Sequence, residues 1–285
     1  FLRGKFLTAS GSDVEASAAF KQAYAKNALS KYLAAWAEAE IRVRYDGVGP
    51  APYTDLLAAL VGEDPFILSA RSRVLAAEGR FDDSISTADR ISGPERHAAR
   101  ALAHTMHSKP AEALADCDRG LAESNLPENA RQMLLVLRAR AMFSLAQPAM
   151  SGDEDITLPP SGTAGIDPIR VKAAWYAIEA AVDVLREVGW SSNIEHIADI
   201  WGVTASILGK QKETLLALSE AARVRPHLEN VQASLESLAA QCGEFSVALE
   251  ANDRLPESHT RNLRRTLLLH EAQQHGACLR WFDQR

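Results

Sequence analysis

Cysteine is scarce in this sequence. Its three residues, Cys117, Cys242 and Cys278, lie far apart and are odd in number. They form no Cys-x-x-Cys pair, so neither a disulfide framework nor a zinc knuckle is readable, and a reducing compartment such as the cytoplasm is favoured. Aromatic residues make up only 6%, fewer than a β-sandwich would want. No apolar run reaches the roughly 18 residues that a membrane span needs. A basic excess is missing too: 31 Lys and Arg against 37 Asp and Glu leave a net charge of −6, which disfavours a general nucleic-acid binder. Catalytic motifs are absent as well. There is no Gly-x-Gly-x-x-Gly, no phosphate loop, no Gly-x-Ser-x-Gly elbow and no His-Glu-x-x-His. The expectation is no catalytic residue, no metal and no cofactor.

What is present points to helix. Alanine occurs 49 times in 285 residues, and alanine is both the best helix former and small enough to let helices approach closely. A repeat of about 34 residues runs through the chain. Gly209, Gly243 and Gly276 mark it, each after one apolar helical stretch and before another. One unit reads Trp201, Gly202, Ala205, Gly209, Leu218, Ala221 and Pro226. The next reads Leu235, Ala239, Gly243, Phe245, Ala248, Leu255 and Pro256. At the other end Gly4, Leu7, Gly11, Ala16, Phe20 and Ala23 fall at the offsets of Gly202, Ala205, Gly209, Thr214, Leu218 and Ala221. A further unit is Leu68, Ser72, Leu75, Gly79, Phe81, Ser84, Ala88 and Ile91. A degenerate one, Ala101, His104, Ala113, Cys117 and Leu121, has Ser108-Lys109-Pro110 where the others have Gly. Residues 31–63 fit another helix pair, broken at Gly47-Val48-Gly49-Pro50.

These residues resemble the tetratricopeptide repeat family, whose unit is a pair of antiparallel helices. The resemblance implies an all-α, right-handed superhelical solenoid of about seven to eight helix pairs. The physics agrees: one such pair cannot bury its apolar stripe, and stacked neighbours bury it jointly. The expected organisation is helix pairs over residues 1–146, an acidic Pro- and Gly-rich loop over 147–168, and helix pairs over 169–285, all in one continuous solenoid. The loop carries Asp153, Glu154, Asp155 and Asp167 and no basic residue. It reads as an exposed insertion or as an acidic docking strip. By this register the chain begins inside a first helix, as a part of something longer would.

Histidines and acids have bland readings. His104, His107 and Cys117 match no standard metal spacing, nor do His270, His275 and Cys278. Asp82 and Asp83 suit the positive end of a helix. Phe20, Phe81, Trp201 and Phe245 occupy packing slots. Trp175 and Tyr176 are adjacent and cannot both face one side of a helix, so one of them is a contact candidate, and Trp190 after Gly189 is another. Arg254, Arg261, Arg264, Arg265, Arg280 and Arg285 make the C-terminal end basic. This is a solvated face or a docking patch for an acidic partner.

The family resemblance also implies that first helices line a concave groove where a partner segment lies. The groove-facing candidates are Arg73, Arg140, His196, Asp199, Asn230, Ser237, Gln241, His270, Gln273 and Gln274. Only Arg73 and Arg140 are cationic, which departs from the clamp that family members use for acidic chaperone tails. The expected function is a non-catalytic scaffold binding a protein or peptide segment, without nucleic acid or a membrane span. The alternative is the repeat arm of a larger bacterial glycosyltransferase- or sulfotransferase-like enzyme, used for substrate recognition. Self-association through end repeats is a further expectation, from apolar edges at Phe1, Leu2 and Phe6 and at Leu279, Trp281 and Phe282.

Overall fold

The computed structural model describes residues 1–9, 12–45, 53–146 and 167–272. Among them are fifteen α-helices and one 3-10 helix, and no strand. The chain divides into two compact units, Phe1–Leu145 and Ala146–Arg285.

The first unit begins with α1 (Leu2–Ala9) and α2 (Asp13–Lys26), then α3 (Ser30–Tyr45) and the short α4 (Thr54–Ala59). Next come α5 (Pro65–Ala77) with α6 (Phe81–Asp89), α7 (Glu95–Met106) with α8 (Pro110–Leu121), and α9 (Glu128–Ala146). The second unit holds α10 (Pro168–Glu187), the 3-10 helix Ser192–His196, α11 (Ala198–Leu208) with α12 (Gln211–Val224), α13 (Glu229–Gln241) with α14 (Phe245–Arg254), and α15 (His259–Glu271). The 198-residue offset read between the two ends is visible in the helices: α2 shifted by that amount coincides with α12.

The boundaries follow from local chemistry. Gly79, Gly209 and Gly243 take φ of 75°, 71° and 76° just after first helices. This left-handed geometry ends a helix and is nearly free for glycine alone. Asp64 and Asp167 cap α5 and α10, each carboxylate accepting the backbone N–H two residues on at 2.9 Å, with Pro at the first helical position. Pro226 and Pro256 follow one residue after the C-caps of α12 and α14, where a helix cannot continue.

Ser108 stands between α7 and α8 where other units have glycine, and it takes the glycine conformation, φ 54°. A left-handed L-residue costs about 1–2 kcal/mol, while glycine loses up to about 1 kcal/mol through its freer unfolded chain. Ser108→Gly is therefore expected to raise stability by about 0.5 kcal/mol. A higher urea midpoint at unchanged slope would show it, and a lowered midpoint would contradict it.

Packing repeats in each unit. A second helix lies against both the first helix of its own pair and that of the next, as α6 does with α5 and α7, and α12 with α11 and α13. First helices also stack on each other: α3 on α5, α5 on α7, and α11 on α13. The core is built where these layers meet. Phe20, Leu33, Trp36, Leu56, Leu60 and Val74 form one buried cluster, and Ala101, Cys117, Leu134 and Leu137 another. Between α5 and α6 the small positions Ser72 and Ser84 are fully buried and satisfy each other, with hydroxyls 3.0 Å apart and each also donating to the other's carbonyl. No described helix is long and apolar enough to cross a membrane.

Candidate partner-binding face

Side chains also tie neighbouring repeats together, and four of these bonds span 35 residues, about one repeat. Arg73 in α5 pairs with Glu38 in α3. Ser206 in α11 donates to Gln241 in α13 at 2.6 Å, Asn230 donates to the Glu195 carbonyl at 3.3 Å, and Arg225 donates to the Trp190 carbonyl at 2.6 Å. Two expected groove residues, Arg73 and Gln241, thus bond to the preceding first helix, and Asn230 bonds to the 3-10 helix before α11.

In the first unit the remaining candidate, Arg140, is half-buried on α9. In the second unit the candidates fall into two groups. His196, Asp199 and Asn230 are exposed at the start of α11 and α13, with His196 Nε2 3.5 Å from a Glu195 oxygen. Gln241 and Ser237 are exposed near the end of α13, linked at 3.5 Å, and His270 is exposed in the last turn of α15. Gln273 and Gln274 lie outside the described residues. So do the acidic segment 147–166, His275, Gly276, Cys278, Arg280, Arg285 and the apolar residues Leu279, Trp281 and Phe282.

The described C-terminal arginines each face a carboxylate. Arg261 and Arg265 both meet Asp253, Arg254 pairs with Glu250, and Arg264 lies 3.8 Å from the buried Glu236. Burial raises the Glu236 carboxyl above the usual range, opposed by Arg264 and by a bond to Asn252. At the other end Leu2 and Phe6 are exposed on α1, while Phe1 packs on Phe20 and stacks on Tyr32 at 4.6 Å.

Two aromatic expectations resolve differently. Trp175 is buried and Tyr176 exposed, as adjacent helical residues must be. Trp190 is corrected: it is not a surface contact but is 2% exposed. Gly189 and Trp190 both adopt left-handed backbone, φ 74° and 59°, which turns the chain after α10 and sends the indole inward. The Arg186 guanidinium lies 5.2 Å from its ring centre.

The histidines near Cys117 belong to packing. His107 stacks on Phe81 with centroids 4.1 Å apart. His104 lies 3.5 Å from Asp116, and burial lowers its pKa, so it is neutral at pH 7. Burial, with Asp118 and Asp116 near, pushes the Cys117 thiol up to about 12, an inert state.

Asp116 is the feature that sequence reading missed. It is 1% exposed and accepts from Arg100 Nε at 3.1 and 3.2 Å and from Arg119 at 2.9 Å. His97 Nδ1 stands 3.7 Å away. The signal was there: Ala113, Asp116, Cys117 and Gly120 share one helical face, and the acid sits among apolar and small residues. A cleft of about 300 Å³ beside it, between α6 and α7, is lined by Phe81, Ile85, Asp89, His104 and His107. Its Asp89 is held by Arg100.

The helix pairs stacked within each unit define an all-α helical-repeat protein of tetratricopeptide-like fold. No family model and no curated protein matches the sequence. Solved structures do. A chain of the crystal structure of the APC/C hetero-tetramer Cut9–Hcn1 matches with a TM-score of 0.56 at 11% identity, over 94% of this chain and 48% of that one. A chain of the Naa15/Naa10 structure bound to HypK-THB matches over 83% of this chain and 39% of that one, at 13% identity and a TM-score of 0.28, too low to carry an argument. The chain spans about half the length of the Cut9–Hcn1 chain it matches.

Proposed function

We propose that this protein is a non-catalytic scaffold that binds a segment of a partner protein along its stacked first helices. The observation that carries the reading is the layer itself. First helices lie directly on first helices, α3 to α5 to α7 and α11 to α13, and on α13 every exposed side chain, Glu229, Asn230, Ser237 and Gln241, is polar. An apolar core behind and such a polar row in front, as on α13, suit an extended peptide, which supplies backbone donors and acceptors along its length. A chain of similar fold works inside a hetero-tetramer, which supports the same class. The contact residues would be Arg73 and Arg140 in the first unit, and His196, Asp199, Asn230, Gln241, His270 and Gln274 in the second.

The test is a pull-down with the immobilised protein, read by mass spectrometry, against Arg73→Glu with Arg140→Glu and against His196→Ala with Asp199→Ala. Circular dichroism checks that helicity is unchanged. Because Arg73 pairs with Glu38, Arg73→Gln serves as the control that removes charge without setting two carboxylates face to face. A protein retained by the wild type and lost by either double variant supports the proposal. Equal capture by all variants removes these residues from the interface. No specific capture would instead favour the repeat arm of a larger enzyme.

A further inference from the structure

We propose that a cleft between α10, α11 and α12 is a socket for the ammonium group of a lysine side chain on a partner. The cleft has a volume of about 130 Å³. That is room for about four waters and well under the roughly 300–1,000 Å³ of small-molecule pockets. It fits the tip of a side chain whose backbone stays outside.

Its charge is unbalanced. Glu179, Asp183 and Glu213 line it, against one cation, Arg186. Arg186 answers Asp183 within the cleft at 3.7 Å, and it also lies 3.9 Å from Glu220 and over the Trp190 ring. Glu213 reaches the exposed Lys210 at 3.3 Å. Among the described residues Glu179 has no ion-pair partner, and its one hydrogen bond comes from the Trp201 indole at 3.2 Å. Burial raises its carboxyl above the usual range; the Trp201 bond and Arg186 oppose the rise, and Asp183 and Glu213 add to it. A cation entering here would relieve that cost.

A second observation is independent of charge. Thr214 lines the same cleft and is 1% exposed, and its hydroxyl has no hydrogen-bond partner among the described residues. An unmade buried hydrogen bond is unfavourable, because the group has given up water without a replacement. A donor seated in the cleft supplies the missing partner. A metal ion fits poorly, since among the described residues no three His, Cys, Asp or Glu side chains converge closely enough to hold one. An alkylammonium has three N–H donors to spread over separated oxygens, and Trp175 and Val182 offer apolar wall for its methylene stem. None of these residues belongs to the proposed first-helix face, so either proposal can fail without the other.

The test uses the whole chain and n-butylammonium as probe, with n-butanol as neutral isostere and sodium chloride matching ionic strength. The readout is the NMR resonance of the Trp201 indole N–H, assigned with Trp201→Phe. Butylammonium is expected to shift it saturably and butanol not. Glu179→Gln, which still accepts the indole bond, should weaken binding at least fivefold, and Thr214→Val, nearly isosteric, at least twofold. A short peptide with a central lysine should bind, and its Nε-acetylated form should not. Equal response to butanol, or wild-type affinity in Glu179→Gln, overturns the socket. Binding of free spermidine with no binding of the lysine peptide overturns the assignment to a partner's side chain.

Discussion

Arg100→Ala is expected to destabilise the first unit by about 3 kcal/mol. Asp116 is almost fully buried, and Arg100 meets both its oxygens while also holding Asp89. Removing the guanidinium leaves a buried carboxylate with Arg119, which is 61% exposed, and with the imidazoles of His97 and His104. Breaking a buried pair from one side costs about 3–5 kcal/mol because the other charge stays behind. The retained Arg119 places this case at the low end. Asp116→Asn in the Arg100→Ala background should recover more than half the loss, because the stranded charge is gone. Urea unfolding followed by the fluorescence of Trp36, the tryptophan of the first unit, reads both effects. A loss under about 1 kcal/mol for Arg100→Ala, the size of a surface pair, would show that the network contributes little.

Two helical glycines are expected to respond to alanine in opposite directions. At Gly120 in α8 an added Cβ would stand 2.7 Å from a Leu134 methyl and 2.9 Å from the His97 Cβ. Both neighbours are buried, so neither can step aside into solvent. Gly120→Ala should therefore cost about 1–3 kcal/mol, the range for overpacking a core. At Gly202 in α11 the nearest atom would be the Ser234 Cβ at 4.0 Å, an ordinary contact. There alanine should stabilise by up to about 1 kcal/mol, the difference in helix propensity. Thermal unfolding of the two variants side by side checks the pair. A matching loss at Gly202 would mean that α11 and α13 pack more tightly than the contact distance indicates.

Several features are legible in the sequence itself. The left-handed glycines Gly209 and Gly243 stand 34 residues apart because a helix end and a following reversal need the same backbone in both units. Alanine and serine recur at helix crossings because a larger side chain would force the axes apart. Such local requirements are written residue by residue, so the helix pairs, their capping and their period could be read directly. The exposure of either Trp175 or Tyr176 was also readable, from the 100° that separates neighbours on a helix.

Other features depend on which side chains meet across helices. Gly4 and Gly202 hold equivalent places in the repeat, yet a Cβ at Gly4 would strike the Phe20 ring at 2.6 Å while one at Gly202 has room. The indole of Trp190 looked available in sequence and is buried, because two successive left-handed residues reverse the chain beneath it. Arg73, Asn230 and Gln241 looked like groove residues and also bond to partners one repeat away. The periodic backbone, the helix-pair fold and the lack of catalytic motifs were determined by the sequence alone, since each rests on propensity and spacing within a few residues. The close approach at Gly120, the arginines around Asp116 and the charge imbalance around Glu179 were decided only by tertiary structure. Burial and charge at a point are sums over groups far apart in the chain, and only folding brings those groups within a few ångströms.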